Sequence, residues 1–114
     1  MHPDERWLRD ILHNVTLARG FIAGLSEAAF LGDDLHFYAV EAALLKISEA
    51  ARRLSPAITE SGQDLPWPAI RAIRNIIAHE YQRVDRRIIW RTVTTELPRL
   101  QAFAETALAR LPNE

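Results

Sequence analysis

Arg74, His79 and Tyr81 fall within eight consecutive residues, Arg74-Asn75-Ile76-Ile77-Ala78-His79-Glu80-Tyr81. A guanidinium holds a phosphate through two parallel N–H···O bonds. An imidazole is the side chain best suited to carry a proton near neutral pH. One of each suffices in principle to cleave a phosphodiester without a metal. The stretch has the composition of a helix, and about 100° per residue separates its side chains into two arcs. Ile70, Ile73, Ile76, Ile77 and Tyr81 fall on a broad apolar side. Arg71, Arg74, Asn75, Ala78 and His79 share the opposite arc of roughly 140°. Ala78 lies mid-arc and is its smallest member, so a shallow notch is expected between Arg71, Arg74, Asn75 and His79. A notch of that kind suits a phosphate or a second copy of the same helix.

Glu41 is a further candidate. It falls inside an apolar stripe, about 40° from Phe37 on a helix, where a carboxylate is costly unless paired. It is either an edge residue reaching solvent or a support holding Arg74 or Asn75 from behind. Metal chemistry has little to work with. His2, His13 and His36 are scattered, and His79 and Glu80 diverge on a helix, so no metal site and no cofactor are expected. No glycine-rich phosphate loop or nucleophile elbow occurs. Trp7, Trp67 and Trp90 are expected in the core or at an interface.

Four helical segments must position these residues. Trp7, Ile11, Val15, Ala18, Ile22 and Leu25 step by three or four along a first helix from about Asp4 to Leu25. Gly24, Gly32 and Asp33-Asp34 punctuate a turn, and an aspartate there can cap the next helix. Phe37, Val40, Leu44, Ile47, Ala51 and Leu54 mark a second helix from about Asp34 to Leu54. A polar loop, Ser55 to Leu65, leads to Pro66-Trp67-Pro68, which opens a third helix reaching about Tyr81. Asp85 is placed to cap a fourth, running to about Leu111 with a kink or break near Pro98. No strand pattern or internal repeat appears. Short connections between long amphipathic helices predict an all-α, antiparallel up-and-down bundle forming one domain over residues 1–114.

Composition narrows the classes. The chain has 114 residues and no cysteine, so disulfides and thiolate metal sites are excluded together. No run of eighteen apolar residues occurs, and Met1-His2-Pro3-Asp4-Glu5 lacks the plan of a signal peptide. A cytoplasmic protein with no membrane contact is expected. Net charge is only −1, but it is unevenly spread. Residues 1–50 hold eight acids and four bases, whereas Arg71, Arg74, Arg83, Arg86, Arg87 and Arg91 meet only Glu80 and Asp85. The second half therefore offers an anion-binding surface built from arginine, the residue favoured for phosphate recognition.

The Arg-x4-His-x-Tyr spacing resembles that of the HEPN superfamily of small helical ribonucleases. Within it the chain most resembles the HepT toxins, partners of minimal nucleotidyltransferase (MntA-like) antitoxins. The resemblance extends to Asp34-x-x-Phe37-Tyr38-Ala39-Val40-Glu41, Leu65-Pro66-Trp67, Ile73-Arg74-Asn75 and Ile89-Trp90. It implies a toxin acting as a metal-independent endoribonuclease on RNA rather than DNA, at a site shared by a homodimer. Arg74 and His79 would be catalytic, with Asn75, Glu41 and Arg71 supporting. Tyr81 would receive AMP from the antitoxin and so silence the enzyme. A different class of function is a non-catalytic nucleotide- or substrate-binding partner of the nucleotidyltransferase. A third reading is a purely structural dimerisation domain.

Overall fold

The first long helix, α1, spans Glu5–Ile22 and buries Leu8, Ile11, Val15 and Ala18 along one line. The computed structural model describes residues 2–79 and 85–112, without the side chains of Ala78 and His79. Trp7, expected in the apolar stripe, lies half-buried at its edge. The guanidinium carbons of Arg6 and Arg53 stand 4.5 and 5.3 Å from its ring, a cation–π arrangement that draws the indole outward. The helix stops three residues short of Leu25, and Gly24 takes φ +81°, a left-handed turn that suits glycine.

A short helix, α2 (Glu27–Leu31), comes next, with Ser26 accepting from the Ala29 N–H. Its Phe30 is fully buried, 6.1 Å from the Phe37 ring and 5.4 Å from that of Trp90. The sequence pattern marks this stretch only as punctuation. Five residues hold too little of a helical period to register.

The second long helix, α3, spans Asp34–Arg53. Asp33 caps it by accepting from the His36 N–H at 3.1 Å. That backbone bond, above the contact with the imidazole, holds the Asp33 carboxyl below its usual range. Phe37, Val40, Leu44, Ile47 and Ala51 form its buried stripe, as the spacing predicts. At its end, Ser55 donates its N–H and hydroxyl to the buried Asp4 carboxylate at 2.8 and 2.7 Å. The start of α1 is thereby tied to the end of α3.

The expected polar loop contains one more short helix, α4 (Pro56–Glu60). The third long helix, α5, spans Trp67–His79. The Trp67 indole N–H donates to the Gly62 carbonyl at 2.9 Å, and its ring meets Phe103 edge-on at 5.3 Å. A Cβ on Gly62 would run into the Phe103 ring, so any larger residue in the turn before α5 requires that ring to move.

Asp85 caps α6 (Arg86–Arg91) by accepting from the Arg87 N–H at 2.9 Å. A π-helical turn, Thr92–Glu96, then leads into α7 (Leu97–Ala109). The break expected near Pro98 takes this form for a physical reason. Pro98 has no N–H for the Thr94 carbonyl, and its ring would crowd that carbonyl in a regular α-helix. Widening the preceding turn relieves both problems. The hydroxyls of Thr92, Thr94 and Thr95 donate to the carbonyls of Ile88, Trp90 and Arg91, giving local acceptors a partner.

The long helices form an antiparallel all-α bundle, with no strand among the described residues. Central α1 packs between α3 and α7, and α5 lies against the outer side of α3. Arg19, late in α1, bonds Gln101, early in α7. Arg52, late in α3, lies beside Pro68, early in α5. Among the described residues no helix is long and apolar enough to cross a membrane.

Candidate functional site

The site is built on α5, an edge helix, and its packing reflects that position. Trp67, Ile70 and Ile77 are buried against the bundle, with Ile73 partly so. Ile76, assigned by the sequence pattern to the apolar side, is 48% exposed. Beyond its first turn α5 packs mainly on α3, and a helix packed from one side buries a narrower stripe than one packed from two. Among the described residues the outer face of α5 is therefore open, with Arg74, Asn75 and Ile76 exposed and Arg71 and Ala72 partly covered.

Ser48 sets the register of that face. It is fully buried in α3, and its hydroxyl donates to the Arg71 carbonyl at 3.0 Å while accepting from the Arg74 N–H at 3.3 Å. One side chain thus pins the α5 backbone between the two arginines. The Arg74 guanidinium reaches across to Glu49, Nη1 to Oε2 at 3.6 Å. Glu49 also binds Arg53 at 3.1 Å, so the acid bridges two arginines from α3 and α5. No acidic residue occurs within α5 itself.

Arg71 and Asn75 line a shallow open hollow completed by Pro68, Ala72 and Arg52 of α3. His79 is the last residue of α5, but its side chain lies outside the described residues, as does that of Ala78, on which the notch depends. Tyr81 and the end of the third helix beyond His79 also lie outside them.

Glu41 is buried, at 7% exposure, and is therefore not an edge residue reaching solvent. Burial pushes its carboxyl above the usual range, against the opposing pull of the Arg86 charge. Its Oε2 has no hydrogen-bond partner among the described residues. Arg86 itself is held by Asp34 at 2.7 Å and lies 4.1 Å above the Phe37 ring. The acid seen against Arg74 is Glu49, eight residues beyond Glu41 on the same helix. Periodicity puts Glu41 within the apolar stripe but cannot say whether it reaches solvent, or which turn of α3 meets which turn of α5. Motif spacing along the chain does not mark Glu49, Ser48 or Arg52. A hydroxyl at Ser48 beside the apolar stripe is the one available signal, and it names no partner. Among the described residues no three His, Asp or Glu side chains gather as a metal ligand set.

Such an arrangement defines a class: an α-helical bundle that presents an acid-free, arginine-bearing helix face at its edge. Residues 11–107 match the model of the family described as Ribonuclease HepT-like. The chain belongs to the HepT-like ribonuclease family. It is 32% identical over 110 residues to a candidate RNase of Caldanaerobacter subterraneus subsp. tengcongensis, covering 96% of this chain and 98% of that one. It is 30% identical over 104 residues to "Probable ribonuclease HepT" of Thermococcus cleftensis, covering 91% and 93%. A candidate RNase of Methanocaldococcus jannaschii is 28% identical over 99 residues, covering 87% and 91%. No solved structure matches the chain.

Proposed function

We propose that the protein is a metal-independent endoribonuclease, the toxin of a two-gene pair whose antitoxin is a minimal nucleotidyltransferase. The observation that carries this reading is Arg74 on the open, acid-free face of α5, steadied by Glu49 and five residues before His79. Arg74 would bind the scissile phosphate and stabilise the charge that develops on it. The RNA 2′-oxygen bonds to phosphorus as His79 takes its proton, and the P–O5′ bond breaks. The leaving 5′-oxygen takes a proton from the His79 of a second protomer, leaving a cyclic phosphate and a 5′-hydroxyl. DNA lacks the attacking hydroxyl and would be spared. Two copies of α5 meeting about a two-fold axis would supply both histidines. Silencing would join the Tyr81 oxygen to the α-phosphorus of ATP and release pyrophosphate. The AMP added beside Arg74 would exclude RNA by charge and by volume.

The test is cleavage of RNA by the purified protein with EDTA present. Wild type should cut, whereas Arg74→Ala and His79→Ala should not, and both variants should melt like wild type. Tyr81→Phe should cut but escape silencing by the co-expressed antitoxin, and the wild-type peptide holding Tyr81 should gain the mass of AMP. An exposed Arg74 would equally grip a nucleotide phosphate. Intact RNA together with Arg74-dependent nucleotide binding would favour the non-catalytic partner reading.

A further inference from the structure

Arg52 and Arg53 are consecutive, but they are used differently. Arg53 binds Glu49 and lies over Trp7. Arg52 is exposed, with no carboxylate within 4 Å among the described residues, and Arg71 shares that lack of an acid partner. Arginines without acid partners usually face solvent singly. Here two of them, from two helices, converge on one hollow with Asn75. Its remaining wall is Pro68 and Ala72, one helical turn apart on α5, so the long cations flank a low apolar floor. Arg71 is one turn before Arg74, with Cβ atoms roughly 5–6 Å apart. The hollow therefore adjoins the proposed cleavage centre and extends from it toward the start of α5, whose positive dipole end adds to the field.

We infer that the Arg52–Arg71–Asn75 hollow is a second phosphate subsite. It would hold the phosphate next to the scissile one in a single RNA strand, with the adjoining ribose on the Pro68 and Ala72 floor. The inference rests on the ribonuclease reading above and extends it, because it sets the path of the strand. RNA would run from His79 along α5 toward Trp67 and cross onto α3 at Arg52. Arg52 lies outside the Arg-x4-His spacing, so it adds affinity and takes no part in proton transfer.

The probe is a short, fluorescently labelled single-stranded oligonucleotide with 2′-O-methyl riboses, which binds without being cut. Its anisotropy is measured through a salt titration with the full-length chain. Arg52→Gln should weaken binding about three- to tenfold and reduce the slope of log affinity against log salt by about 0.7, one single-strand phosphate contact. Arg71→Gln should do the same. Arg19→Ala should change neither quantity, since Arg19 bonds Gln101 between α1 and α7 and lines no part of the hollow. On cleavable RNA, Arg52→Gln should raise KM and leave kcat unchanged. If Arg74→Ala weakens binding but Arg52→Gln matches Arg19→Ala, the subsite is overturned and the ribonuclease reading stands. If Arg52→Gln weakens binding while no variant or wild type cuts RNA, the hollow stands as an RNA surface and the ribonuclease reading falls. If wild type binds no oligonucleotide, both fall.

Discussion

Glu49 stands 3.6 Å from Arg74 and is partly exposed, so the pair is worth little to stability. Its effect on chemistry should be larger. A carboxylate steadies the guanidinium but also competes with any incoming phosphate. Glu49→Gln is expected to tighten RNA binding and to slow turnover by roughly three- to tenfold as Arg74 loses its fixed orientation. Steady-state kinetics that leave KM and kcat both unchanged would reduce the contact to an ordinary surface pair. Glu41 carries a pH signature instead. Burial raises its carboxyl pKa in the folded chain above the ordinary 4.5, so the folded state binds the proton more tightly than the unfolded. Its burial cost is absent below pH 4.5 and develops as pH rises through the folded value. Stability should therefore fall across that window. Denaturant midpoints measured from about pH 4 upward should show the fall in wild type and a flatter curve in Glu41→Gln.

At the scale of elements, α5 owes its place to two polar anchors. Ser48 fixes its backbone at Arg71 and Arg74, and the Trp67 indole bonds Gly62 at its start. Gly62→Ala would drive a methyl group into the Phe103 ring. A destabilisation of about 1–3 kcal/mol is expected, the usual range for overpacking. Chemical denaturation checks it, and a second substitution, Phe103→Leu, should recover part of the loss by vacating the contested space. Full stability in the single variant would mean that Phe103 swings aside at no cost. The α6–α7 junction illustrates a different rule. Pro98 requires a break, and a π-helical turn supplies it at the level of backbone hydrogen bonding.

At the scale of the whole molecule, α5 on the flank of α3 leaves a long face that carries both the proposed chemistry and an exposed isoleucine. One histidine per chain in the motif calls for two chains if two protons are to move in one step. Light scattering at micromolar concentration should give the mass of a dimer. Ile76→Asp, at 48% exposure in one chain, should give a folded monomer that no longer cuts RNA. An Ile76→Asp protein that remains dimeric would place the interface elsewhere, and a monomeric wild type would remove the shared-site mechanism.

The sequence alone determined the helical class, the long helices within a few residues, the aspartate caps and the break near Pro98. These depend on local periodicity, proline geometry and short-range hydrogen bonds, all written within one or two turns of chain. It also singled out Arg74, Asn75 and Arg71 by type and spacing. Tertiary structure alone decided what faces them. Helical spacing left Glu41 either at an edge or buried as a support; packing buried it, and the register between α3 and α5 set Glu49 against Arg74 and Ser48 beneath its backbone. Likewise, Ile76 belongs to an apolar pattern and Phe30 to an apparent turn, yet the first is exposed and the second fully buried. Burial depends on how many neighbours surround an element, and a single chain position carries no record of that number.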